Sequence, residues 1–196
     1  MEGTPMETSK TVHRLKITLR DIRPPIWRRI EVPSNETLHE LSAILEAAMG
    51  WNGGHLHAFV AGEITYQLPS EFDDLSWRET KDERTSKLSE VLADIGDRMR
   101  FEYDFGDGWE HDVVVEAITS LANEMTYPRC VTGKRACPPD DCGGPWGYAN
   151  LLDALSDPKH PDHEDLVEWT GGHLEPETFD TAETTVAMQH AKPWTM

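Results

Sequence analysis

An alternating run of aromatic and acidic residues, broken by Gly106-Asp107-Gly108, constrains this chain more than any other stretch. Phe101, Tyr103 and Phe105 lead into the glycines; Trp109, His111 and Val113 leave them, and Glu102, Asp104, Glu110 and Asp112 fill the positions between. A period of two marks half-buried strands, and two such runs flanking Asp-Gly make a hairpin. A two-residue turn at Asp107-Gly108 would set Phe105 opposite Glu110 and Tyr103 opposite Asp112, mixing the faces. A three-residue loop sets Phe105 opposite Trp109, Tyr103 opposite His111 and Phe101 opposite Val113. That register puts every aromatic on one face, so it is the one predicted, with Gly108 in the left-handed position and His111 on the buried side.

The segments before it alternate in kind. Leu15, Ile17 and Leu19 face one way and Arg14, Lys16, Thr18 and Arg20 the other, which predicts a strand; Arg23-Pro24-Pro25 turns the chain into a second strand, Ile26 to Val32. Thr37 and Glu40 form a capping box. Leu38, Leu41, Ile44, Leu45, Ala48 and Met49 form the apolar stripe of a helix, with Gly50 as its left-handed stop. Strands are predicted at His55–Val60 and Ile64–Gln67, a mobile polar excursion at residues 69–87, and a short helix at Leu88–Leu92. After the hairpin, helices are expected at Tyr148–Leu155, at Asp162–Trp169, and from Asp180, with Glu183 as its box partner.

The chain has 196 residues and a formal net charge of −18, unevenly spread. Residues 1–30 hold seven Lys or Arg against three acids, and the rest hold eleven against thirty-three. An acidic body repels phosphate backbones, which disfavours direct duplex DNA binding, and Arg14, Lys16, Arg20, Arg28 and Arg29 are expected to pair with the protein's own carboxylates. No run approaches the ~18 apolar residues of a membrane span, and the N-terminus lacks a signal-peptide pattern. A cytoplasmic protein with no membrane contact is expected. In that reducing setting three cysteines are thiols or metal ligands.

Arg23-Pro24-Pro25-Ile26-Trp27-Arg28-Arg29, Ala47-Ala48-Met49-Gly50-Trp51, His55-Leu56-His57, Tyr103 to His111, Cys137-Pro138-Pro139-Asp140-Asp141-Cys142-Gly143-Gly144 and Trp146-Gly147-Tyr148 occur in one order. With them the chain resembles the plasmid pRiA4b ORF-3-like family over roughly residues 12–190. Two positions depart from the pattern: Asp140 stands where Glu is expected, and Ala58 where a Glu often follows the second histidine. The resemblance implies a compact α+β domain associated with plasmids or transposable elements, and it carries over no activity and no catalytic residues. A resolvase role fits poorly, because no serine- or tyrosine-recombinase core is visible.

Two constellations are candidate sites. Cys130, Cys137 and Cys142, spaced x6 and x4, resemble a widened zinc knuckle, and His111 is the fourth ligand that the hairpin would supply. The competing reading is three inert buried thiols. His55 and His57 share a strand face and, with Asp104 or Asp107, form the ligand set of an alternative metal-dependent hydrolase or nuclease; otherwise they hydrogen-bond loop carbonyls. The carboxylates Glu110, Asp112, Asp140 and Asp141 read as turn and surface chemistry.

The expectation is an α+β fold in a single domain over residues 12–192, after a disordered tail at 1–11. A mixed or antiparallel sheet carries one long N-terminal helix and a helical C-terminal third. The function expected is a non-enzymatic module for an unknown protein partner, with structural zinc as its candidate cofactor. The hairpin and the Cys/Pro/Gly loop are expected to be neighbours.

Overall fold

The computed structural model describes residues 11–69, 79–172 and 174–194. Residues 1–10 of the expected tail lie outside these, and Thr11 already belongs to the first strand. The strands are β1 (Thr11–Leu19), β2 (Trp27–Pro33), β3 (His57–Ala61), β4 (Ile64–Gln67), β5 (Glu79–Asp82), β6 (Arg98–Tyr103), β7 (Trp109–Ser120) and β8 (Arg129–Lys134). The helices are α1 (Leu38–Met49), α2 (Leu88–Val91), α3 (Gly144–Ser156), α4 (His163–Trp169) and α5 (Thr181–His190).

The strands form one mixed sheet in the order β5-β4-β3-β6-β7-β1-β2-β8. Every pairing is antiparallel except β4 with β5. The alternation in β1 buries Leu15, Ile17 and Leu19 as the sequence requires. They join Leu41, Leu45, Phe59, Phe101 and Trp109 in a single core under α1.

Helix α1 forms for the reasons its sequence states. Thr37 and Glu40 complete the capping box, and Gly50 ends the helix at φ 111° with its N–H on the Glu46 carbonyl. The α+β architecture with a mixed sheet holds, but two details are corrected. Helix α1 has 12 residues against 13 in α3, so no single long N-terminal helix dominates. The C-terminal third is not simply helical. Strand β8 reaches Lys134 because it closes the sheet against β2, an irregular loop follows, and the three helices come after it, α4 against α3 and α5 against α1 and β8.

The 69–87 excursion is corrected as well. Residues 70–78 lie outside the described residues, but Glu79–Asp82 is a strand, and the turn after it is tied to α1. The Leu38 and His39 amides, two donors that a helix start leaves unsatisfied, bond the carbonyls of Ser86 (2.8 Å) and Glu83 (3.2 Å).

The basic face of β1 and β2 is neutralised from within. Glu31 accepts from Arg14 at 2.7 Å and from Arg129 at 2.6 Å, Arg20 meets Glu110 at 3.1 Å, and Arg29 pairs with Glu116. Lys16 and Arg28 are the exceptions, with no carboxylate ion pair among the described residues: Lys16 Nζ lies 5.5 Å from the Trp27 ring centre, and Arg28 is buried. Its guanidinium donates to the carbonyls of Ala48 (2.8 Å), Trp27 (2.9 Å) and Lys134 (3.0 Å) and lies 4.0 Å from the Phe179 ring centre. It therefore serves the carbonyl end of α1, where a cation is favoured.

Candidate functional site

The β6–β7 hairpin keeps the predicted parity but not the predicted loop. Tyr103 faces Trp109, Phe101 faces His111 and Met99 faces Val113, two residues short of the expected register. Five residues, 104–108, make the connection. Gly108 is left-handed at φ 70°, as expected, and so is Asp104 at φ 53°. The side chain of Asp104 explains the longer loop, because its Oδ1 accepts the amide of Gly106 at 2.9 Å. Asp104 is thereby drawn inward and Phe105 is expelled to 54% exposure, the reverse of the sequence expectation for both.

This loop is latched to the glycines after Cys142. Asp107 Oδ2 accepts the Gly143 amide at 3.1 Å. Gly144, at φ 67°, lies so close to the Asp107 carbonyl that a Cβ would overlap it. Trp51 secures the joint from below: it stacks on Tyr103 at 4.7 Å, meets His111 edge-on at 5.3 Å, and donates Nε1–H to the Pro138 carbonyl at 3.0 Å. The hairpin and the Cys/Pro/Gly loop are neighbours, as the sequence predicts.

The two histidines of the alternative set part company. His55, in the loop before β3, places Nδ1 3.4 Å from Asp104 and Nε2 3.8 Å from Asp141. His57, the first residue of β3, turns inward and meets Glu83 at 3.0 Å, with Glu46 3.5 Å from its other nitrogen. Among the described residues, two groups have ligand atoms all within 4.8 Å of one another: His55, Asp104 and Asp141, and His39, His57 and Glu83. The sequence reading found His55, His57 and Asp104. It missed His39 and Glu46, whose seven-residue spacing on α1 was a usable signal, and it missed Glu83, which has none.

Cys130, Cys137, Cys142 and His111 are not brought into such a group. Cys130 sits in β8 with Sγ toward the carbonyls of Thr132 (3.7 Å) and Arg29 (3.8 Å). His111 is sealed in β7 with Nδ1 3.1 Å from the Phe101 carbonyl. The cation of Arg28 acts electrostatically on both Cys130 and Cys137, which opposes a dication there. Burial raises the Cys130 thiol to about 11 and lowers His111 to about 4.

Carboxylates crowd the joint. Burial first, and then the neighbouring Asp141, Asp104 and Asp107, hold Asp140 above the usual carboxyl range, with His55 opposing them. Large apolar side chains stand around it in the open: Leu56 at 55% exposure, Phe105, and Trp146 in the first turn of α3 at 89%. Beside the joint, a cleft of about 860 Å³ runs between Met49–Asn52, Cys137–Asp140 and the residues leading into α5.

The plasmid pRiA4b ORF-3-like protein family model matches residues 11–183, which include the hairpin, the joint and both histidine groups. The chain belongs to this family. It is similar to the uncharacterized protein y4hQ of Sinorhizobium fredii (strain NBRC 101917 / NGR234), 39% identical over 163 residues that cover 82% of this chain and 81% of that protein. It is also similar to the crystal structure of MM3350, a protein of unknown function from Methanosarcina mazei Go1. That likeness has a TM-score of 0.81 and 34% identity, over 90% of this chain and 98% of the other. The family fold therefore carries the joint as part of its matched region. No described helix is long and apolar enough to cross a membrane.

Proposed function

We propose that this chain is a non-enzymatic interaction module that docks a basic, aromatic-tolerant segment of a partner protein on the hairpin joint. The observation behind this reading is the exposure of Trp146 (89%), Phe105 and Leu56 on segments that meet at the joint, together with Asp104, Asp107, Asp140 and Asp141. Large apolar side chains left in water on a latched scaffold suit binding, since little ordering is needed when the partner arrives. Crowded carboxylates favour a cationic partner, whose Lys or Arg would relieve their mutual repulsion and could stack on Trp146. The cleft beside the joint offers room for a side chain of that partner.

The test is selection of displayed random peptides on the purified chain. Enriched peptides will carry net positive charge, and Trp146→Ala or Phe105→Ala will weaken them at least tenfold. Ile95→Ala, exposed in the turn before β6, will not. Enrichment of acidic peptides, or equal binding to the Trp146→Ala chain, overturns the reading.

A second reading draws on the convergence of His55, Asp104 and Asp141: a hydrolytic divalent metal bound at the rim. It predicts ester or phosphodiester turnover that needs added manganese or zinc and disappears in His55→Ala. Absence of metal-stimulated turnover across such substrates removes it.

A further inference from the structure

Beneath α1, on the inner side of the joint, where Glu46 still feels the charges of Asp140 and His55, four side chains from three parts of the chain meet. His39 and Glu46 come from α1, His57 opens β3, and Glu83 lies in the turn after β5. His39 Nδ1 is 2.8 Å from Glu83 Oε1, His57 Nε2 is 3.1 Å and 3.0 Å from the two Glu83 oxygens, and His57 Nδ1 is 3.5 Å from Glu46. Glu83 is fully buried, and Glu46 and His57 are nearly so. None of these groups contacts a Lys or Arg among the ion pairs described.

We propose that His39 Nδ1, His57 Nε2 and a Glu83 oxygen ligate one divalent first-row transition ion, zinc in the first instance, in a structural site independent of the joint. Three considerations converge. Two imidazoles and a carboxylate are a recurrent nitrogen–oxygen donor set for such ions and a poor one for calcium or magnesium. The two buried carboxylates have no guanidinium or ammonium at ion-pair distance, since Arg84, which acts on Glu83 from farther off, is itself paired with Asp82; a dication with two neutral imidazoles balances both. An outer partner is also at hand: with Nε2 on the metal, His57 would turn Nδ1–H toward Glu46, whose oxygen lies 3.5 Å away, a carboxylate–histidine–metal arrangement that fixes tautomer and ring orientation. Glu83 and His57 are buried and His39 is partly buried, so the ion joins elements: it ties the start of α1 to β3 and to the turn that already bonds the Leu38 and His39 amides.

The experiment uses the full chain, stripped with chelator, dialysed, titrated with zinc, and then measured for metal content and thermal unfolding. One zinc per chain is expected, with a higher melting temperature that chelator reverses. Glu83→Gln and His57→Gln will abolish stoichiometric binding. Glu46→Gln leaves all three ligands in place and will weaken binding by 10- to 100-fold while keeping the native circular dichroism, which covers the case in which a ligand variant fails to fold. His55→Gln, Asp141→Asn and Cys137→Ser will bind as the parent does. Cobalt substitution will give a spectrum without a thiolate charge-transfer band. Binding below stoichiometry, retention in Glu46→Gln at full affinity, loss in His55→Gln or Cys137→Ser, or a thiolate band each overturns the site. A rim metal is told apart by its dependence on His55.

Discussion

His55 and His57 are separated by one residue, yet they end in opposite circumstances. His55 lies at a partly exposed rim between Asp104 and Asp141, with large apolar side chains standing in water around it. His57 is closed under α1 between Glu83 and Glu46. Both imidazoles have a carboxylate on each side, so composition does not separate them; solvent does. At the rim, water screens the charges and the groups remain available to a partner. In the interior the same chemistry is a commitment, because each charge left unmatched is costly.

The sharpest way to break this contrast is to remove one carboxylate from each place. Glu83→Ala leaves the buried His57 and the partly buried His39 without their shared partner and will destabilise the chain by about 3–5 kcal/mol in urea unfolding. Asp141→Ala at the rim will change stability by less than about 0.5 kcal/mol. Equal losses would erase the distinction.

A third histidine extends the comparison to a sealed imidazole with no carboxylate. His111 is lowered from 6.5 to about 4, chiefly by burial, with Arg28 adding to the effect. The unfolded chain therefore binds the proton more readily, and this contribution to stability is present above pH 6.5 and is lost as pH falls toward 4. The full span is roughly 3 kcal/mol. His111→Asn, which can still donate to the Phe101 carbonyl, will flatten the acid limb of the stability profile. An unchanged limb would show that His111 does not titrate against burial.

At the joint, Gly144→Ala forces a Cβ onto the Asp107 carbonyl at a left-handed position and will cost roughly 2–3 kcal/mol. Gly62→Ala, left-handed but in open space, isolates the conformational part at about 1 kcal/mol. If the two variants melt together, the latch is not tight. The smallest effect on stability belongs to Trp146→Ala, within about 0.5 kcal/mol by thermal unfolding. A larger loss would mean that the indole packs on the fold.

The local parts of this structure were legible in the sequence. The capping box, the stripe of α1, its glycine stop and the burial of His111 follow from neighbours within a few residues. The hairpin's parity was legible too, because alternation sets it, but its loop length was not. Asp104 takes a left-handed turn that its own side chain stabilises, and the aromatic pattern says nothing of that. Strand β5 was hidden by a charged run with no apolar period, and Glu83 with it, since its partners lie in α1 and β3. Proximity in sequence did not bring the three cysteines and His111 into one tight ligand group. The cation that acts on Cys130 and Cys137 is Arg28, far earlier in the chain.

That guanidinium has a wider effect on how the molecule holds together. Its carbonyl partners come from β2, the end of α1 and the last residue of β8, while Phe179 stacks on it from the segment before α5. One side chain thus binds the opening hairpin, the first helix, the sheet's far edge and the tail into a shared knot. Trimming the chain before Phe179 would bare a cation under the first helix, so unfolding is expected to proceed as one cooperative event, without a stable half.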